Sequence, residues 1–367
     1  MNRCFIIAFL CLCCNLLTAQ TLTKEALNNF ARYTQKAELS SLEKARKNID
    51  DAYKTHKDSL NYKVNLIRGM VYSSLAYADS ARKLQYKKDP ISEAMFALEN
   101  LKNPKLNDTH EPEIKFIKKT LSKAWLTKAN KALKNLNYTD AYTSFLWVDS
   151  LNSGGHFTTH NLAALSERLG YTDKAIAYYT YLIADKKRSL PEYYLTLSNL
   201  YEQSRDSKKA IDVIEEGRMA YPGNRDLLFK SINTYADNGY FSVVVRLVDE
   251  ALKFDPNNLN ILYLAGFSFE MTGKQDKAED YYKSIISLEE NNYEGNYALG
   301  LLYLNSFLKS PAKEELILKS RKYLVQASEI DPNSVNALKS LTILYKITNN
   351  TTELEKINNK LSQIILN

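Results

Sequence analysis

From Ser122 onward, apolar residues recur at helical spacing in runs of a dozen or so positions, and the runs themselves return about every thirty-four residues. Leu264-Ala265-Gly266, Phe269, Gly273 and Tyr282 have counterparts thirty-four residues earlier in Ile232, Tyr235, Gly239 and Val248. A fixed period of this length predicts an all-α chain of paired antiparallel helices, each pair burying its apolar face against the next. Stop and start signals keep the same spacing. Pro222, Pro256 and Pro332 cannot continue a helix, and Asn224, Asn258 and Ser334, two residues on, are good N-caps for the following one.

Small residues sit where two helices of a pair must approach. Ala129, Ala163, Gly266 and Gly300 fill that place in the first helix of their pairs, and Ala141, Ala175, Ala210 and Ala278 in the second. A larger side chain there overpacks, at about 1–3 kcal/mol. Large residues accompany them: Trp125 and Phe145, Leu162 and Tyr179, Leu197, Tyr201 and Ile214. Together these positions resemble the tetratricopeptide repeat (TPR) family. The resemblance implies a right-handed superhelical solenoid of antiparallel helix pairs, TPR-like, with about nine hairpins. It also implies a concave face that holds other proteins rather than transforming substrates.

Residues 122–367 carry the array. In the unit from 293 to 334, Ser320, Leu324, Ala327 and Pro332 arrive eight residues late. Ser310-Pro311 reads there as an N-cap and first helical residue, predicting a longer second helix. The unit from Val335 has Leu354 where alanine is usual and reads as a divergent C-terminal cap. Residues 20–121 are expected to form divergent helical hairpins that continue the array, with helices at Lys24–Gln35, Ser41–Tyr53, Ser59–Leu84 and Ile91–Leu101. Lys88-Asp89-Pro90 and 107–112 are expected breaks; an independent N-terminal helical domain is the rival organisation.

Residues 1–19 read as a signal peptide: Arg3, an apolar run from Phe5 to Leu17, and a small-residue cleavage site after Ala19. The run is short of the about 20 apolar residues a membrane span needs, so no transmembrane span is expected in the mature chain. All four cysteines lie inside this segment. A mature chain would lack disulfides, zinc thiolates and cysteine nucleophiles; Leu10, Leu12 and Cys13 before Cys11, Cys13 and Cys14 also argue against a lipid anchor. Residue usage rich in Asn, Lys, Tyr and Ile resembles chains from the Bacteroidota. That resemblance implies export to the periplasm or the periplasmic face of the outer membrane. The helical C-terminal segment differs from the β-rich sorting domain usual in cargo of that group's secretion system.

The formal charge is +7, and +6 without Arg3, with both signs interleaved. A nucleic-acid partner would be met by cations concentrated on one face, which the short clusters Lys118-Lys119 and Lys186-Lys187-Arg188 do not supply. His156 and His160 stand four apart at a helix start, without the third or fourth ligand a zinc site uses. Asp108, His110, Glu111 and Glu113 cluster, yet acidic residues suit a helix N-terminus for dipole reasons. No nucleophile accompanies them, and glycine is too dispersed for a phosphate loop. The expectation is a non-enzyme without metal or cofactor. Most of the 26 tyrosines fall at core positions.

In the TPR family, ligands lie along the first helix of each pair. The resemblance carries that stripe to Leu126 and Asn130; Phe157, His160 and Arg168; Leu195 and Asn199; Phe229, Lys230 and Asn233; Tyr263 and Phe267; Glu294 and Tyr297. Of these, Asn130, Phe157, His160, Asn199, Phe229, Lys230, Asn233, Tyr263, Phe267 and Tyr297 are the expected partner-binding residues. Aromatic anchors with a polar rim suit a protein or peptide segment. The family's carboxylate clamp is not expected, because Leu126, Leu195 and Phe229 replace its lysine. A glycan bound on exposed aromatics is the alternative ligand. As a surface position, Lys230→Ala would change stability by no more than about 0.5 kcal/mol.

Overall fold

The computed structural model describes residues 20–152 and 155–366; the expected signal peptide lies outside the described residues. Those residues are predominantly α-helical, with no strand among them. They form an all-α helical repeat of nine antiparallel pairs among the described residues. The chain divides into two compact units, one reaching Asp185 and the other beginning at Lys186.

The first unit contains α1 (20–36) and α2 (Leu39–Asp51), then the single turn α3 (His56–Ser59). Next come α4 (Tyr62–Ala78) paired with α5 (Pro90–Glu99), and the short α6 (Pro104–Thr109). The pairs α7 (Glu111–Lys134) with α8 (Tyr138–Asn152) and α9 (His156–Arg168) with α10 (Thr172–Ala184) complete it. The boundary expected after Leu121 falls inside the continuous α7. Every residue of helix α4 from Val64 to Ala76 is buried, most of them apolar or small, with Asn65 and Arg68 as the large polar exceptions; a helix covered on all sides belongs at the centre of a core. Helices α2, α5 and α7 pack around it. A Cβ on Gly69 would stand 2.8 Å from Ile117 Cδ1, so glycine sets the α4–α7 approach.

Two expected elements differ. The helix expected over 59–84 is confined to Tyr62–Ala78, because Asn61 caps its start on Val64 N–H (3.2 Å) and Asp79 collects the Lys83 and Leu84 N–H groups (2.7 and 3.0 Å). The break expected over 107–112 shrinks to His110. Asn103 caps α6 on Leu106 N–H, and Pro112 sits in the first turn of α7, where its missing N–H costs nothing.

The second unit pairs α11 (Pro191–Gln203) with α12 (Ser207–Ala220), α13 (Arg225–Asp237) with α14 (Phe241–Phe254), and α15 (Leu259–Met271) with α16 (Gln275–Leu288). The pairs α17 (Tyr293–Lys309) with α18 (Glu314–Ile330) and α19 (Val335–Ile347) with α20 (Thr351–Leu366) follow. The predicted caps are formed: Asn224, Asn258 and Ser334 accept from Leu227, Ile261 and Ala337 N–H at 3.0–3.2 Å. In the enlarged pair both helices have 17 residues, so the insertion is divided between them. Ser310-Pro311 lies in the turn and does not open a helix. Leu304 and Phe307 pack with Ile317, Leu324 and Leu341, which draws α17 one further turn. Leu354 packs into the same cluster.

Six turns inside pairs share one geometry. Leu136, Gly170, Arg205, Gly239, Gly273 and Asn349 each have φ between 51° and 79°, in the left-handed region. The next N–H in each turn returns to a carbonyl five residues back, at 2.8–3.0 Å, closing the helix end. Leucine is strained there by about 1–2 kcal/mol, and the Leu136 side chain is 69% exposed, so it contributes little packing. Leu136→Gly is expected to raise stability by up to about 1 kcal/mol. A lower urea midpoint for that variant would contradict the expectation.

Candidate functional site

In the second unit, α11 touches α13, α15 touches α17, and α17 touches α19. The second helices of successive pairs make no comparable contact among the described residues. At three of four steps the first helices thus approach each other more closely than the second helices do and form an inner layer; the candidate site lies along it at the remaining step, between α13 and α15.

Phe229 and Asn233 on α13 and Tyr263 on α15 meet around a shallow depression of about 300 Å³, which Asn260 also borders. The Tyr263 ring lies parallel to Phe267, one helical turn on, with 6.4 Å between centroids and 3° between planes. Phe267 in turn meets Phe241 edge-on at 5.3 Å. Tyr293 and Tyr297 on α17 stack at 5.7 Å and 6°. Burial chiefly, then the Glu270 and Glu294 carboxylates and the neighbouring Tyr297 and Tyr293, raises the Tyr263 hydroxyl above its ordinary value. Phe229 is half-buried and stays in place beneath the Arg225 guanidinium, 5.0 Å from the ring centroid. Asn233 and Asn260 are exposed, with side-chain amides that can pair with a backbone; Asn258 is committed to Ile261 N–H and Asp255. The structure thus brings Phe229, Asn233, Tyr263, Phe267 and Tyr297 onto one layer.

Glu270 is the polar member of this layer that sequence reasoning missed. It accepts from the Tyr282 hydroxyl at 3.2 Å, and burial raises its carboxyl above the ordinary range despite bonds from Tyr282 and Asn305. Tyr293 was also missed, although its four-residue offset from Tyr297 on a helix is a readable signal.

The other expected residues are placed differently. Asn130, Phe157 and His160 belong to the first unit; each is exposed, and Phe157 (59% exposed) touches Phe145 edge-on at 6.3 Å. Asn199 is exposed on α11. Arg168 lies over the Tyr138 ring at 4.2 Å. Lys230 is not a free surface cation: its Nζ donates to Glu202 Oε2 at 2.6 Å, and Thr234 Oγ1 donates to Glu202 Oε1 at 2.8 Å. The two hydrogen bonds tie α13 to α11, and the Lys230 side chain is only 19% exposed. The small effect expected of a surface lysine is therefore corrected. Lys230→Ala should cost about 1–2 kcal/mol, above the usual exposed pair because a charged hydrogen bond is lost in a half-buried seam. A urea midpoint equal to wild type would show the seam to be dispensable.

No family model matches the chain. No curated protein matches it either. Among solved structures, YrrB, a TPR protein with an unusual peptide-binding site, is similar at 20% identity and a TM-score of 0.45, over 53% of this chain and 96% of that one. MamA is similar at 17% identity and a TM-score of 0.41, over 46% of this chain and 92% of that one. MamA from Desulfovibrio magneticus RS-1 aligns at 16% identity and a TM-score of 0.40, over 49% and 94%.

Among the described residues, no three His, Cys, Asp or Glu side chains converge as metal ligands. His110 Nδ1 lies 3.6 Å from Glu113, and its ring packs on Tyr62 at 5.8 Å. No helix of the described residues is long and apolar enough to cross a membrane. Two tyrosine hydroxyls at matching core positions find carboxylates at one offset: Tyr179 donates to Glu167 and Tyr282 to Glu270, each twelve residues back.

Proposed function

We propose that this chain is an exported, non-catalytic scaffold that binds a protein or peptide segment along the inner layer of its second unit. The observation that carries the reading is the run of half-buried rings Phe229, Tyr263, Phe267, Tyr293 and Tyr297, with the amides of Asn233 and Asn260 beside Phe229 and Tyr263. Rings held by stacking lose little entropy when a partner covers them, and amides at their edge can pair with an extended backbone. The leader-like residues 1–19 support export, and the residue usage resembling Bacteroidota chains supports a periplasmic location within a cell-envelope complex as part of the same proposal.

The test is cross-linking capture by the mature chain in cells of its own source, alongside Phe229→Ala/Tyr263→Ala. One specific protein should be enriched and should fall at least tenfold in the double variant, whose melting temperature should stay within a few degrees. Undiminished capture by the double variant would discard this face as the site. Absence of any enriched protein would discard the scaffold reading itself.

A further inference from the structure

The first unit contains a cavity of about 500 Å³ where the end of α4 and the start of α5 face α7 and Trp147 of α8. Its floor is apolar, formed by Ala76, Ile91, Met95 and Ala124. The chain's two tryptophans, Trp125 and Trp147, form one wall, stacked at 5.8 Å with 15° between planes. Trp147 keeps 38% of its surface exposed, whereas Trp125 is 9% exposed and its Nε1 has no acceptor among the described residues.

Charge on the rim is unbalanced. Arg82 is paired with Asp89 at 2.7 Å, and Asp79 is occupied by the Lys83 and Leu84 N–H groups. Lys128 and Lys131, three residues apart on α7 and both exposed, have no carboxylate partner among the described residues. The Lys128 ammonium lies 4.8 Å from the Trp125 ring, drawn over the face of the indole wall. Hydroxyl groups are scarce: of the three on the wall, Ser92 Oγ bonds Asp89 at 2.9 Å and Thr127 Oγ1 bonds the Lys123 carbonyl at 3.0 Å, which leaves Ser80. A sugar, which needs many polar partners, is poorly served by such a wall. An apolar body carrying one negative group is well served.

We infer that this cavity binds a carboxylate borne on a flat or branched apolar body, its anion held by Lys128 and Lys131 and its body by Trp147 and the Met95 floor. The volume is within the usual range for small-ligand sites. The same chemistry is presented by a free aromatic acid and by an acidic residue beside a large apolar one in a peptide.

Because both tryptophans line the cavity, tryptophan emission, excited selectively beyond the tyrosine absorption, reports on it. Titration with phenylacetate, and separately with acetyl-Leu-Glu-amide, is expected to give a saturable emission change from one or both. Saturation by phenylacetate assigns a free acid, and saturation by the peptide alone assigns a peptide-borne one. Lys128→Gln/Lys131→Gln should weaken that binding at least tenfold without moving the melting temperature, and Phe229→Ala/Tyr263→Ala should leave it unchanged, which separates this site from the inner layer of the second unit. An equal response to phenylacetamide or acetyl-Leu-Gln-amide, undiminished binding in the lysine variant, or no saturable change with either acid would overturn the inference.

Discussion

Replacing Arg68 with alanine is expected to destabilise the first unit by about 3 kcal/mol, because it opens a void and takes from Asp50 and Glu93 their buried cation, leaving Asp50 to Arg46 at 3.0 Å and Glu93 to Lys88 at 4.0 Å. Arg68 is fully buried in α4. Its guanidinium bonds Asp50 Oδ1 at 2.7 Å and pairs with Glu93, linking α4 to α2 and α5. The Tyr53 and Tyr72 rings lie 4.4 and 4.6 Å from it, and the Tyr72 hydroxyl donates to Asp50 at 2.8 Å. Burial, then the Asp50 carboxylate, raises that hydroxyl far above its ordinary value, so Tyr72 stays a donor at any physiological pH. Lysine at this position would keep the charge but lose the planar fork that reaches both carboxylates, so Arg68→Lys should recover only part of the loss. The measurement is urea unfolding. An Arg68→Ala midpoint shifted by less than 1 kcal/mol would mean that Asp50 and Glu93 are satisfied without it.

The other large effect is expected at Gly300. A Cβ there would stand 2.8 Å from Leu324 Cγ and 2.9 Å from the Leu324 backbone nitrogen. The backbone cannot swing aside as a side chain can, and Ser320 Oγ already bonds the Gly300 carbonyl at 2.9 Å, holding α17 on α18. Gly300→Ala should therefore cost about 1–3 kcal/mol, and Gly300→Leu more, enough to loosen the pair. Gly155→Ala is the matched control. Its Cβ would meet nothing within 4 Å and its φ of −79° suits any residue, so the loss of a favoured N-cap glycine and the gain in unfolded-chain entropy oppose each other and its midpoint should stay close to that of wild type. Equal effects at the two glycines would refute the close approach.

The turn and cap positions were legible because they are local. Asn224, Asn258 and Ser334 each act on an N–H three residues away, and Gly239 and Gly273 answer a backbone angle that belongs to the residue itself. The small residues at helix pairs were legible for a related reason: Gly266 meets Tyr282 at a separation that recurs with the repeat. At the candidate site, the period placed Phe229, Tyr263, Phe267 and Tyr297 on one layer. It did not show that Lys230, the neighbour of Phe229, is taken up by Glu202, twenty-eight residues away.

By itself, then, the sequence determined the helix pairs and most of their caps and turns, since these depend on offsets of three to five residues and on side-chain size. Only the tertiary structure decided which charges face one another. Arg68 meets partners 18 and 25 residues away, and Trp125 meets Trp147 across two helices. It also decided that α7 runs unbroken through the expected boundary at Leu121, and that the insertion near Ser310 lengthens both α17 and α18. Pairings of this kind depend on the crossing of whole helices, and a shift of one residue in register would give Arg68 or Lys230 a different neighbour while leaving every local signal intact.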